Sequence, residues 1–313
     1  MSPAAVWTLE GGEPDEKCKL PVPMTILVAT LILSTTLSLG ALASPIIKIV
    51  AAENFYGNVA EQIGGDEVSV TSIMSDPNVN PREYESSVED AKAVAAAGLV
   101  IENGGGFDGW MDRLLSAFAS TSRIVLKAFN LAVKKLPGNG HVWYSVDNIQ
   151  AVAVALSPSL QKLLPQSTEV FLRNDRVFQE SPEPIREKMT VISSRYAGTP
   201  IGLTETIYLY QAVPLGLRVL TPFAFQKAIA EGIVPPTATT AETENQVRQQ
   251  QIRILICNDQ SISTVTIKAQ AEARAANIAA VGLTETVPPG ETYQTSTLRQ
   301  LDELRSALIF AGS

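Results

Sequence analysis

The stretch 46–73, IIKIVAAENFYGNVAEQIGGDEVSVTSI, contains the unit from which the fold is built. Residues 46–51 form an apolar run rich in β-branched side chains, which is typical of a buried strand. Residues 54–63 are amphipathic with helical spacing, and the Gly64-Gly65 pair that follows is a helix stop. Residues 68–73 predict a second strand. A strand, a helix and another strand in this order predict a βαβ unit of a parallel sheet.

The same alternation continues along the chain and starts again after about residue 198. Short apolar runs that predict further strands are 99–101, 124–126, 200–203, 217–220, 252–256 and 279–283. Between the two halves, residues 166–196 show helical spacing without a strand pattern, although Pro182 and Pro184 must interrupt it.

We therefore expect an α/β fold with two Rossmann-like lobes, each containing a parallel sheet, joined by a long backbone helix. The expected boundaries are 44–165 for the N-terminal lobe, 166–197 for the linking helix and 198–313 for the C-terminal lobe. A ligand cleft is expected between the lobes, because ligands of open parallel sheets bind outside the carboxyl ends of the strands.

Composition excludes several classes of protein. The 313 residues carry a formal net charge of -8, so a protein that wraps nucleic acid is not expected. Two cysteines cannot form a disulfide framework, and a single histidine cannot form a histidine cluster. Any metal site in this chain must therefore depend on carboxylates.

The N-terminal segment 1–43 resembles an export signal. No charged residue occurs over 20–47, Lys17 and Lys19 precede this stretch, and Ala41-Leu42-Ala43 has the small-x-small pattern of a cleavage site. We expect export with cleavage after Ala43, to a periplasm or a cell surface, and Met24 is an alternative start. An uncleaved membrane anchor is the competing interpretation, because about 20 apolar residues span a bilayer.

An internal repeat marks the candidate site. The pentapeptide Gly-Leu-Thr-Glu-Thr occurs at 202–206 and again at 282–286, each time after a predicted strand. If both strands belong to one sheet, Glu205 and Glu285 project into the same crevice, where two carboxylates require a cation between them. The alternative is that each glutamate only caps a following helix.

His141 is the lone histidine and follows a glycine-rich loop. It is interpreted either as a metal ligand or as a structural, hydrogen-bonded residue. Asn54 follows the end of the first predicted strand and is expected to support the site through a hydrogen bond.

Several motifs together resemble the solute-binding proteins of zinc/manganese ABC importers. These are AAENFYG at 51–57, NPREYE at 80–85, HVWY at 141–144, GLTET at 202–206 and the stretch 284–294. The resemblance implies two α/β lobes around one divalent metal, a membrane permease as partner, and no catalysis. We expect a monomer.

The resemblance also implies ligands, one position at a time. The second histidine of the family site matches His141, the third ligand matches Glu205, and the fourth, usually a carboxylate, matches Glu285. The first ligand is the histidine of a D-P-H-E-Y-E-type loop, and Arg82 stands at that position.

Arg82 is a departure with chemical consequences, because a guanidinium is always protonated and has no lone pair to donate. Either it pairs with Glu205 or Glu285 in a degenerate, metal-free site, or it points outward. In the second case His141, Glu205, Glu285 and a water would bind zinc or manganese.

A dinucleotide-dependent enzyme is the remaining alternative. Residues 104–109, GGGFDG, satisfy G-x-G-x-x-G after a predicted strand, but the next strand ends in LKAF at 126–129 without the acidic residue that such a site requires. We do not expect an enzyme.

Overall fold

The computed structural model describes residues 46–312. The predicted signal peptide over 1–43, its cleavage site and the alternative start at Met24 lie outside these residues. Within 46–312 the chain forms eight strands and twelve α-helices, arranged around two four-stranded parallel sheets. None of the helices in this part of the chain combines the length and apolar character needed to cross a bilayer.

The N-terminal sheet has the strand order β2-β1-β3-β4, with every neighbouring pair parallel. Its strands are β1 (Ile47–Glu53), β2 (Val68–Met74), β3 (Leu99–Glu102) and β4 (Ile124–Lys127). The helices of this half are α1 (Asn54–Gly64), α2 (Val88–Ala96), α3 (Gly109–Ala117) and α4 (Ala128–Leu131).

Three helices lead from the first sheet to the second. They are α5 (Val146–Leu163), α6 (Thr168–Glu180) and α7 (Glu183–Tyr196). The predicted helical segment 166–197 therefore consists of two consecutive helices, with the interruption at Pro182, because a proline has no backbone N–H with which to continue the helix. The boundaries of the two lobes and of the linking segment remain a prediction.

The C-terminal sheet repeats the same topology with the order β6-β5-β7-β8 and parallel pairing throughout. Its strands are β5 (Pro200–Leu203), β6 (Arg218–Val219), β7 (Ile254–Asn258) and β8 (Ala279–Leu283). The helices of this half are α8 (Leu209–Ala212), α9 (Phe223–Ala230), α10 (Thr237–Arg248), α11 (Thr264–Ala275) and α12 (Tyr293–Gly312).

The turn between α1 and β2 shows why the first βαβ unit closes where it does. Gly65 has φ of 55°, a left-handed conformation that glycine adopts without strain. A Cβ on Gly64 would lie 2.3 Å from Val68 Cγ1, so a side chain there would collide with the start of β2. The two glycines therefore end the helix and let the strand pack directly beneath it.

The apolar core extends through both halves. Strands β3 and β7 are buried along their whole length, as expected for parallel strands covered on both faces. One cluster of buried side chains includes Ile101 of β3, Leu156 of α5 and Ile256 of β7. The connecting helix α5 is thus part of the same core as the two sheets.

We predict that Leu156→Ala lowers the free energy of unfolding by about 2–5 kcal/mol, because Leu156 is fully buried and the truncation leaves a cavity. Val154→Ala on the same helix is the matched control. Val154 is 58% exposed, and its truncation should change stability by less than about 0.5 kcal/mol. Urea denaturation of both variants measures the difference, and equal losses would show that α5 is not anchored in the core.

Candidate metal centre

The structure brings three of the predicted site residues together. One ligand atom from each of His141, Glu205 and Glu285 lies within 4.8 Å of the other two. His141 Nε2 is 2.8 Å from Glu285 Oε1 and 3.7 Å from Glu205 Oε1. All three side chains have no solvent exposure. In the part of the chain that the structure describes, this is the group of histidine, cysteine and acidic side chains with the geometry to hold a metal ion.

The two glutamates reach this position from strand ends. Glu205 comes two residues after β5, and Glu285 comes two residues after β8, both at carboxyl ends of the same sheet. Glu205 makes no helix-capping hydrogen bond with its side chain, and the next helix after Glu285, α12, begins only at Tyr293. The interpretation of these glutamates as helix caps is therefore wrong, and the repeated pentapeptide is a repeated strand-end loop.

His141 is oriented by Asn139. The Asn139 amide nitrogen donates to the carbonyl oxygen of Thr206 at 2.8 Å, which leaves Asn139 Oδ1 as an acceptor. That oxygen lies 2.8 Å from His141 Nδ1, so Nδ1 carries a proton and donates it. His141 Nε2 is then the nitrogen that faces the two carboxylates.

His141 Nε2 faces a carboxylate oxygen of Glu285. Their atoms Nε2 and Oε1 are 2.8 Å apart, and two lone pairs cannot face one another at that distance. One of the two groups must therefore be protonated. A metal ion bound to both atoms would have to displace this proton.

Glu205 is held by Asn258, the last residue of β7. The Asn258 amide donates to Glu205 Oε1 at 2.9 Å, across the boundary between neighbouring strands β7 and β5. Burial raises the pKa of Glu205; nearby His141 and Arg82 oppose this shift, whereas the charge of Glu285 adds to it. A divalent cation would stabilise the ionised form of Glu205, which burial and the repulsion from Glu285 disfavour.

Arg82 points toward the site. It lies in a short 3₁₀ turn, Pro81–Glu83, whose start is fixed by a hydrogen bond from the Arg82 backbone N–H to the side chain of Asn80 at 3.0 Å. Its guanidinium carbon is 4.8 Å from the centre of the Phe107 ring, and Nη1 is 3.5 Å from Glu285 Oε1. Of the two alternatives for Arg82, the outward orientation is therefore wrong, and the guanidinium contacts Glu285 rather than Glu205.

Gln260 joins the Arg82 loop to the Glu285 loop, a role that the sequence analysis missed. Its side-chain oxygen accepts the Glu285 backbone N–H at 2.5 Å, and its side-chain nitrogen donates to the carbonyl oxygen of Val79 at 2.8 Å. Its own backbone N–H donates to Asn258 Oδ1 at 2.9 Å. Asn258 and Gln260 follow the predicted strand 252–256, and two polar amides at the carboxyl end of a buried strand are the signal that could have identified them.

Asn54 supports the site as predicted. Its side chain donates to the carbonyl oxygen of Val287 at 2.7 Å and accepts the Val287 backbone N–H at 2.8 Å. Val287 lies two residues after Glu285, so this pair of hydrogen bonds ties the loop after β8 to the first helix of the N-terminal half.

Glu53 is a second residue that the sequence analysis missed. It ends β1, is fully buried, and neither of its carboxyl oxygens has a hydrogen-bond partner. Burial raises its pKa well above the ordinary value, and the charges of Asp108, Glu102 and Glu285 raise it further. The signal in the sequence that could have identified Glu53 was an acidic residue directly after the largely apolar run 46–52.

The glycine motif 104–109 does not form a phosphate-binding loop. The Asp108 carboxylate accepts the backbone N–H groups of Asn103 and Gly104, both at 2.7 Å. A Cβ on Gly105 would lie 2.5 Å from the ring of Phe129. The motif thus forms a turn that packs closely on Phe129 of α4. The Asp108 carboxylate occupies the place where a phosphate would have to bind.

The donor set fits a divalent cation. Oε2 of Glu205 and Oε2 of Glu285 are buried without hydrogen-bond partners, and Nε2 of the His141 imidazole lies 2.8 Å from Glu285 Oε1. One nitrogen and carboxylate oxygens are ligands that both zinc and manganese accept.

Comparison with known proteins identifies the family of this chain. The sequence model of a family described as zinc-uptake complex component A, periplasmic (ZnuA), matches residues 49–307. The manganese-binding lipoprotein MntA of Halalkalibacterium halodurans is 28% identical over 174 residues, which cover 52% of this chain and 56% of MntA. The manganese ABC transporter substrate-binding lipoprotein PsaA of Streptococcus mitis is 24% identical over 176 residues, covering 47% of this chain and 56% of PsaA. The chain thus spans about half the length of these relatives.

The fold is also shared with a solved structure. The periplasmic zinc-binding protein TroA of Treponema pallidum superimposes with a TM-score of 0.70 and 18% sequence identity, covering 85% of this chain and 99% of TroA. At this identity the likeness establishes the two-lobe α/β fold.

We predict that Glu53 makes stability depend on pH. Because its pKa is raised in the folded state, the folded protein keeps a proton that the unfolded chain releases above the ordinary value of 4.5. Its contribution therefore lowers the free energy of unfolding as the pH rises above that value, by up to about 1.4 kcal/mol per pH unit.

In Glu53→Gln this contribution disappears. The free energy of unfolding of the variant should therefore rise relative to that of the wild type between about pH 5 and pH 7, and the two should have the same pH slope in more acidic solution. Urea denaturation across this range tests the prediction. Parallel curves for the two proteins would contradict it.

Proposed function

Because this chain belongs to the ZnuA family of periplasmic zinc-uptake components, we propose that it is a solute-binding protein that captures a divalent metal and delivers it to an ABC permease. The observation that carries the proposal is the buried convergence of His141, Glu205 and Glu285 within 4.8 Å of one another. The family is not an enzyme family, and no catalytic role is proposed.

We propose His141 Nε2 and the carboxylates of Glu205 and Glu285 as the protein ligands. The two carboxylates balance the charge of one divalent cation, and the imidazole supplies a neutral donor. Zinc and manganese are the two candidates: the family name specifies zinc, and the names of MntA and PsaA specify manganese.

Metal capture would compete with a proton. The proton shared by His141 Nε2 and Glu285 Oε1 must leave when both atoms bind the metal, so apparent affinity should fall as the solution becomes more acidic. The surrounding amides hold the donors in place during this exchange.

A metal-free site in which Arg82 neutralises the carboxylates is not favoured. Arg82 Nη1 approaches Glu285 Oε1 only to 3.5 Å and has no hydrogen-bond partner. The second oxygens of Glu205 and Glu285 also lack partners. A guanidinium that had replaced the metal would be expected to form paired hydrogen bonds with a carboxylate.

Export is the location that fits this function, because the family is described as periplasmic and the relatives as lipoproteins. We propose delivery to a periplasm or a cell surface through the apolar segment 1–43.

We also propose that the chain acts as a monomer and does not bind nucleic acid. Its two lobes are proposed to end and begin near residues 165 and 197.

We predict that Glu205→Ala and Glu285→Ala each abolish metal uptake, because each removes a charged ligand from a buried site. The loss in affinity should exceed the roughly 10–100-fold typical of substitutions outside the ligand shell. Isothermal titration with zinc and with manganese, together with metal analysis of the purified protein, measures the effect. Glu83→Gln, an exposed carboxylate on the Arg82 loop, is the control and should retain wild-type affinity.

We predict that Asn139→Ala weakens metal binding by roughly 10–100-fold without abolishing it, because His141 loses the acceptor that sets its tautomer. Asn139→Asp keeps an acceptor oxygen and should retain most of the affinity, although it loses the hydrogen bond to Thr206. If both variants bind equally weakly, the role of Asn139 is to connect the loops rather than to orient the imidazole.

A further inference from the structure

Arg82 leaves the loaded site with an excess positive charge. A divalent cation and two carboxylates are neutral together, and the metal-bound imidazole adds no charge. The Arg82 guanidinium, whose Nη1 is 3.5 Å from Glu285 Oε1, then adds one positive charge beside a fully buried centre. Because a partly buried charge is costly without a partner, a further negative group would stabilise the loaded site.

The nearby buried carboxyl of Glu53 does not supply this charge. Its two oxygens have no hydrogen-bond partner, and burial raises its pKa well above the ordinary value, which favours the uncharged form. Asp108 is also close to Glu53, but its oxygens accept two backbone N–H groups of the glycine turn, and the ion pair that Arg82 forms is with Glu285. Arg82 thus forms its ion pair with Glu285, a carboxylate that the metal would also bind.

The Arg82 guanidinium is positioned to bind an anion. The Phe107 ring holds its guanidinium at 4.8 Å from the ring centre, and Nη1 is buried without a hydrogen-bond acceptor. The side chain as a whole remains 20% exposed, on a cavity of about 290 Å³. Two guanidinium groups, those of Arg82 and Arg113, line this cavity against one carboxylate, that of Glu231.

We propose that the site takes up its metal together with a small oxyanion, a bicarbonate or a simple carboxylate, which binds both the metal and the Arg82 guanidinium. This inference rests on the proposed function and adds a ligand to it. One oxygen of the anion occupies the metal position that His141, Glu205 and Glu285 leave open. The other oxygen accepts hydrogen bonds from Arg82, since guanidinium groups bind carboxylates through two parallel N–H donors.

The anion therefore replaces, as an exogenous ligand, the imidazole that a histidine at position 82 would provide. Zinc with three protein ligands accepts a fourth, and manganese accepts more. Linkage requires that the anion tighten metal binding by the same factor by which the metal tightens anion binding.

The test measures the affinity of the whole protein for Mn²⁺ in carbonate-free buffer and again with millimolar bicarbonate or millimolar acetate. Wild-type affinity should rise by about 10-fold or more with either anion, which corresponds to a coupling of about 1.4 kcal/mol. Arg82→Gln should bind Mn²⁺ without this enhancement. Arg176→Gln removes the same charge from an exposed position on α6 and should keep the enhancement.

Two further measurements separate the outcomes. With ¹³C-bicarbonate, the Mn²⁺-loaded wild type should show a ¹³C hyperfine coupling that Arg82→Gln lacks. Arg82→His should bind Mn²⁺ tightly in carbonate-free buffer, because it supplies the fourth ligand itself. Metal binding that is independent of both anions, or an enhancement that survives Arg82→Gln, overturns the anion proposal alone. Absence of metal binding in every buffer overturns the proposed function as well.

Discussion

Glu205 and Glu285 approach within 4.8 Å of one another with no exposure to solvent, and this is the constraint on which the rest of the site depends. Two ionised carboxylates cannot share such a space without positive charge between them. In the structure the groups that face these carboxylates are the imidazole of His141 and the guanidinium of Arg82. The second carboxyl oxygens of Glu205 and Glu285 have no hydrogen-bond partner. These unpaired oxygens are available as ligands, which favours a metal ion over a permanent salt bridge.

The constraint is maintained by amides rather than by further charges. Asn139 orients the imidazole, Asn258 holds Glu205, and Gln260 connects the Glu285 loop to the loop of Arg82. Amide groups donate and accept without changing charge, so they position the donors and leave the charge balance to the ligands. Asn54 adds a contact between the two halves of the chain near Glu285. The site is thus a property of both halves together.

The architecture could be predicted because its signals are local. The run 46–51, the amphipathic segment 54–63 and the glycine pair at 64–65 correspond to β1, α1 and the turn before β2. The repeated alternation in the second half likewise gives a second parallel sheet. The aromatic triplet at 142–144 forms a 3₁₀ turn beside His141, because contacts from distant segments outweigh the β propensity of three residues. Whether the chain begins its folded part at residue 44 stays a prediction.

Sequence by itself determined the βαβ order, the strand-end position of the two glutamates, and the presence of an arginine at position 82. These follow from hydrophobic periodicity and from residue identity, which are read within a few neighbouring positions. Tertiary structure alone decided that His141 meets Glu285 across 144 residues, that Arg82 turns inward, and that Glu53 is buried without a partner. The physical reason is that distances, burial and charge balance are set by the packing of segments far apart in the chain, and no local pattern encodes them.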